Sequence, residues 1–307
     1  MDRNDWADMT WRDLAQVRAR LASGADPDVM KFGHLRPLDW AVEIGTPEVV
    51  AELAGRVRDV DAEHEGRTAL WTAVFENRPD NARALVEAGA DPWRSMMAGW
   101  SPRRLSLAGP YPDLFAPSLA GLSPTKTAMV AEAPRLIGAL GDVDVLGLSL
   151  ACVAGVTAAE AARRLEAPLV EAPPEHHAFE DPDELVLGAT DVPGGCVIVQ
   201  PCGNGASRPG VTKTLSAGTV CYAMYANPKS GNQGRVTRDG VVEGWDLHPG
   251  GDVGAGDTAE EVLLAYLYQG RAAAYCFAYA GLRPVDSRAV TGPADLWFEL
   301  PARDYWR

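Results

Sequence analysis

Two domains of different class are predicted for this 307-residue sequence. The first is an N-terminal all-α solenoid of stacked helix pairs over residues 1–108. The second is a C-terminal α+β domain with a largely antiparallel sheet over 142–307, reached through a Pro/Gly-rich linker with a short helix at 109–141. Three observations carry that expectation. Gly24-Ala25-Asp26-Pro27 returns as Gly89-Ala90-Asp91-Pro92, and Arg58-Asp59-Val60-Asp61 sits where a middle copy belongs, so Asp26, Asp59 and Asp91 stand 33 and 32 residues apart. A fixed period of that length marks a repeat architecture whose units bury their apolar faces on one another. Pro110, Pro112, Pro117 and Pro124 then rule out a continuous helix between the halves. Beyond Asp142, short β-rich runs bounded by glycines and prolines replace helical spacing.

The helices of the first half announce their own ends. Trp11, Leu14, Val17 and Leu21 give one apolar side to a helix from Trp11 to Ser23, placed as an N-terminal cap. Thr68 and Ser101 are N-cap residues, and Pro37 and Pro102 fit a first turn that needs no backbone N–H. Thr46-Pro47-Glu48 opens a second helix as cap, proline and an acid near the positive dipole end, with Val49, Val50 and Leu53 facing inward. Arg78-Pro79-Asp80 opens the next, carrying Leu85 and Val86 and stopped by Gly89 in a left-handed cap.

Pro37-Leu38-Asp39-Trp40-Ala41, Thr68-Ala69-Leu70-Trp71-Thr72-Ala73 and Ser101-Pro102-Arg103-Arg104 stand where the ankyrin family carries Thr-Pro-Leu-His-x-Ala, so residues 10–108 resemble an ankyrin array. The family's histidine is replaced by Asp39, Trp71 and Arg104, and the third copy also loses the leucine, which marks it as the end of the array. The resemblance implies a protein partner docked on the turn tips and the exposed ends of the first helices. Those positions are Phe32, Leu35, Glu43, Ile44, Glu63, His64, Arg67, Phe75, Glu76, Met96, Met97 and Trp100, a mixture of aromatics, Met and Arg among acids that suits an interface. Phe75 and Trp100 are expected as its anchors.

In the second half a short helix is expected from Thr127 to Ala133, interrupted by Pro134. Val143, Val145, Leu146, Leu148, Leu150 and Cys152 form a run too apolar to be exposed, in which periodicity does not separate strand from helix. Thr157-Ala158-Ala159-Glu160 is a capping box opening a helix through Leu165, and 171–185 is an acidic surface loop. Strands are expected at Cys196–Gln200, Thr219–Tyr225 and Trp297–Leu300, and a hairpin at Arg235–Arg238 and Val241–Glu243 around Asp239-Gly240. Helices follow from Asp257 to Tyr268, with Asp257 and Glu260 as a box, and from Ala272 to Ala280. Gly195-x-Val197-x-Val199-x-Pro201-x-Gly203, Leu215-Ser216-x-Gly218, Asn227, Asp239-Gly240 and Trp245 are similar to an uncharacterised domain of actinobacterial proteins over about 142–300. That resemblance implies a fold unit and no chemistry.

The chain carries 42 acidic against 28 basic residues, a net charge of −14, which excludes a nucleic-acid backbone as partner and suits a basic protein. Five cysteines without CxxC spacing point to reduced thiols and a cytoplasmic location, and the acidic N-terminus has no signal-peptide character. No apolar run approaches membrane-spanning length. Gly205-x4-Gly210 lacks the lysine a phosphate loop needs directly after the second glycine, and Gly250 to Gly256 lacks a preceding buried strand. His176 and His177 with Glu175, Glu180 and Asp181 have no metal-ligand spacing. No catalytic, cofactor or metal residue is therefore expected. The function expected is protein binding, in a sharper form an immunity or antitoxin protein against a basic bacterial effector. The alternative is an enzyme, with Cys202 on the turn after a buried strand as nucleophile, or a small-ligand site, in the C-terminal domain, with the repeats recruiting substrate.

Overall fold

The computed structural model describes residues 6–30, 35–116, 121–172 and 185–307. Contacts divide the chain into two compact units, Met1–Val130 with Val253–Tyr266, and Ala131–Asp252 with Leu267–Arg307.

In the first unit, α1 (Leu14–Ala22) precedes two antiparallel pairs, α2 (Pro37–Ile44) with α3 (Pro47–Ala54) and α4 (Ala69–Phe75) with α5 (Pro79–Glu87). A third pair is begun by α6 (Pro102–Ser106), which stops after five residues. The three hydroxyl caps expected in the repeats are made: Thr46, Thr68 and Ser101 side chains accept from Val49, Trp71 and Arg104 N–H. Asp13 caps α1 through Gln16 N–H. Prolines occupy the first turns of α2, α3, α5 and α6. Gly24 and Gly89 take φ of 90° and 99°, which lets the chain turn back after α1 and α5. Asn77 does the same after α4 with φ of 51°. Leu38, Leu53, Leu70, Leu85 and Leu105 are wholly buried where α2, α4 and α6 pack side by side over α3 and α5. Asn81 Nδ2 ties two pairs together by donating to the Val42 carbonyl at 2.8 Å.

Val253–Tyr266, far along the chain, belongs to this unit. Its helix α10 (Ala259–Leu267 in full) has a capping box one residue later than expected: Thr258 Oγ1 accepts from Glu261 N–H, and Glu261 Oε2 accepts from Thr258 N–H. Asp257 turns to Gly254 N–H instead. α7 (Pro124–Leu140) runs through Pro134, where a break was expected. Ala133, Leu136 and Leu140 are buried along one stripe, and that burial offsets a proline that costs about 3 kcal/mol in a helix interior.

The second unit is built on an eight-stranded, wholly antiparallel sheet of order β2-β8-β3-β4-β1-β5-β6-β7. In chain order the strands are β1 (Ser149–Ala154), β2 (Leu169–Val170), β3 (Val186–Val192), β4 (Gly195–Gln200), β5 (Val220–Asn227), β6 (Gly231–Arg238), β7 (Val241–Leu247) and β8 (Leu296–Glu299). Helices α8 (Ala158–Arg164) and α9 (Pro209–Leu215) lie on the face carrying Ala151, Val153, Ile198, Cys221 and Ala223. α11 (Ala272–Tyr279) packs on β5 and β1, and α12 (Arg288–Thr291) on β4 and β3. With both faces covered, β1 and β4 lose the alternation of a half-buried strand, which is why the stretch around Leu150 read as neither strand nor helix. The apolar stretch before it is not wholly buried: Leu146 is 68 % exposed. The Asp239-Gly240 hairpin forms with both residues at positive φ. Thr157 caps α8, but Arg163 and Arg164 take the Glu160 carboxylate, holding it down at about 2, so the reciprocal half of the box is missing.

Candidate protein-interaction surface

The repeat turns are built by one device used three times. Asp26, Asp59 and Asp91 each accept the N–H two residues ahead, from Asp28, Asp61 and Trp93, at 2.8 to 2.9 Å. A short carboxylate that closes its own turn needs no other scaffold. The second acid of each of the first two turns reaches the next turn: Asp28 accepts from Arg58 N–H, and Asp61 from Asp91 N–H, each across 30 residues. Arg36, 5 % exposed, braces the middle turn from beneath. Its guanidinium pairs with Asp39 at 2.9 Å and donates to the Asp59 and Ala62 carbonyls. The result is a fixed row of turn tips rich in carboxylates.

Residues 12–96 match the family profile of ankyrin repeats, in three copies. They are ankyrin repeats. No curated protein matches the chain. Ankyrin repeats indicate a protein-binding role, and no helix among the described residues is long and apolar enough to cross a membrane.

The array distributes the expected interface residues unevenly. Glu63 and Glu76 are exposed, and Glu63 pairs with Arg94 at 2.6 Å. His64 and Arg67 are half-buried and exchange two backbone bonds, and the Arg67 guanidinium lies 5.9 Å over Trp71. Met96 is half-buried, its sulfur beside the Thr68 hydroxyl. Leu35 and Glu43 are half-buried, and Ile44 is 42 % exposed. Phe32 lies outside the described residues.

Met97, Phe75 and Trp100 are buried in this structure, at 6, 1 and 0 % exposure, so none is placed to anchor a partner on the open face. The chain's own segment 253–266 covers two of them. Phe75 stacks on Trp71 at 5.0 Å and meets Tyr266 at 5.8 Å. Tyr266 Oη donates to Asn77 Oδ1 at 3.2 Å, and burial pushes that hydroxyl's pKa up. Trp100 Nε1 donates to the Ala259 carbonyl at 2.9 Å, with Lys126 and Arg104 over its ring at 4.5 and 5.3 Å. Each of these cations is within cation–π range of the buried indole. Gly109 has no room for a side chain, since a Cβ there would meet the Tyr266 hydroxyl.

A groove of about 480 Å³ lies at the other end of the array. It is lined by Trp6, Asp8, Met9, Trp11, Leu35, Pro37, Trp40 and Ile44. Only Leu35 and Ile44 were among the expected residues. The signal was present on α2: Pro37, Trp40 and Ile44 fall at i, i+3 and i+7, an apolar stripe adjoining the buried Leu38, Ala41 and Val42.

The thiol chemistry considered for the second unit finds little support. Burial pushes the Cys152, Cys221 and Cys276 thiols up, and Cys196 to about 12. Such thiols stay protonated and inert. Cys202 is half-buried, and the turn after it is closed by Gln200, whose Oε1 accepts from Gly205 N–H at 2.7 Å. Lys213 lies in the last turn of α9, away from the glycines before the helix. Among the described residues no group of three or more His, Cys, Asp or Glu is arranged to hold a metal. His176, His177, Glu175, Glu180 and Asp181 lie outside the described residues.

Proposed function

We propose that this chain is a protein-binding protein whose ankyrin array grips a basic partner, and that it acts as an immunity- or antitoxin-type inhibitor of a bacterial effector in the cytoplasm. The observation that supports it is the row of turn tips: Asp28, Asp59, Asp61 and Asp91 are fixed along one edge by the turn-closing ladder, and Glu63 beside them is held by Arg94. Pre-ordered carboxylates steer a cationic partner and lose little side-chain entropy on contact. The open part of the docking face comprises Leu35, Glu43, Ile44, Glu63, His64, Arg67, Glu76 and Met96.

Affinity capture on the full chain, from lysate of the native host, tests this reading. One basic protein should be retained, and Glu63→Lys with Glu76→Lys should lower its retention and its salt sensitivity together. Retention of no protein, or of an acidic one indifferent to both substitutions, would overturn it. The enzyme alternative rests on Cys202 alone and is answered by Cys202→Ala, described below.

A further inference from the structure

We infer that the groove at the N-terminal end of the array is a binding site for an amphipathic, cationic segment of the partner, one apolar side chain flanked by Lys or Arg. The inference rests on the protein-binding reading and deepens it, because it names the chemistry that one part of the array recognises.

The groove has walls of two kinds. Its floor is aromatic and aliphatic: Trp11, Trp40, Leu35, Pro37, Met9 and Ile44. Trp6 and Trp11 stack nearly parallel, with ring centroids 6.0 Å apart at 11°. Trp6 Nε1 donates to the Asp26 carbonyl at 3.0 Å, which clamps the N-terminal segment to the first repeat turn and fixes that wall. Trp11 and Trp40 keep part of their surface open, and Ile44 is 42 % exposed. The volume, about 480 Å³, falls within the roughly 300–1,000 Å³ of ligand clefts. That suffices for an anchoring side chain with its neighbours.

The rim supplies the charge. Asp8 lines the groove and is exposed, held at φ of 56° so that its carboxylate stands on a tight turn. Arg12 turns its Nε to the Ile44 carbonyl at 3.1 Å. Among the described residues, Arg36 is buried against Asp39. Indole faces attract guanidinium and ammonium groups, more so once water is excluded. Open indoles beside the exposed Asp8 carboxylate therefore favour a segment that is apolar at its centre and cationic at its flanks. They disfavour an acidic one, whose carboxylates would meet Asp8.

Three fluorescein-labelled twelve-residue peptides test this on the full chain by anisotropy: one of Lys and Leu, one of Glu and Leu, one of Lys and Ser. The Lys/Leu peptide is expected to bind at least about tenfold more tightly than either other, since it alone offers both halves of the recognition. Ile44→Ser should weaken it about tenfold with an unchanged melting temperature, because Ile44 is already well exposed. Asp8→Asn tolerates the same backbone and should weaken it several-fold while flattening its salt dependence. Equal binding of the Glu/Leu peptide, or no effect of Ile44→Ser, would overturn the inference. So would a dimer in light scattering that Ile44→Ser turns into a monomer, since the occupant would then be a second copy. If the captured partner responds to Glu63→Lys and Glu76→Lys but no peptide binds, the groove falls and the protein-binding reading stands.

Discussion

Replacing Trp100 by alanine separates two roles that one aromatic residue can have in a repeat protein. The indole is wholly buried, so its removal leaves a cavity, and Trp→Ala in a core costs about 3–5 kcal/mol. The Nε1 bond to the Ala259 carbonyl contributes about 1 kcal/mol more, and each of the cations at 4.5 and 5.3 Å about 0.5–1 kcal/mol. These contributions overlap, so about 4 kcal/mol is the expected total. With a urea dependence of about 2 kcal/mol per molar, the array's unfolding midpoint should fall by about 2 M. Trp100→Phe keeps most of the volume and should lose only about 1–2 kcal/mol. Far-UV circular dichroism in urea measures both. A midpoint shift below about 0.3 M for Trp100→Ala, together with lost partner binding, would mean that Trp100 faces the partner and that segment 253–266 does not cover it.

Three further outcomes are expected. Gly109→Ala forces the Tyr266 ring to move and should cost about 1–3 kcal/mol, with faster amide exchange in residues 259–266 as the accompanying sign. Asp61 is held above the ordinary carboxylate range, first by burial and then by the nearby Asp91 and Asp59 charges. Its contribution to stability is therefore full below the unfolded value, near pH ~4, and is lost as pH rises through the folded one. Asp61→Asn keeps an acceptor for Asp91 N–H without the charge, so denaturation should show the variant gaining on the parent as pH rises from about 4 to 7. A gap that widens toward acid would contradict this. A maleimide thiol probe on the folded chain should label Cys202 before the four buried cysteines, and Cys202→Ala should leave partner capture unchanged; loss of capture would revive the enzyme alternative.

Local chemistry made the array legible. Thr46, Thr68, Ser101, the first-turn prolines and the left-handed Gly24 and Gly89 each act within a few residues, so each could be placed without the rest of the chain. The Asp239-Gly240 hairpin was legible for the same reason. What escaped depended on distant partners. β3 carries Gly188 in its middle, a residue that weakens strand propensity, yet it is required because the Trp297 ring of β8 crosses at that point. Pro134 stays helical because burial on one side outweighs its local cost. Phe75 and Trp100 looked like free aromatics because their cover lies more than 150 residues away. The groove was half visible, as an apolar stripe on α2, while its facing wall of Trp6 and Trp11 depends on where the N-terminal segment folds back.

Amide hydrogen exchange of the full chain, with and without the captured partner, tests the protein-binding account most directly. Added protection is expected in peptides covering 35–44, 59–67 and 91–96, with 259–266 unchanged because that segment already packs within the first unit. Protection confined to 142–252 and 267–307, with the array unaltered, would contradict it.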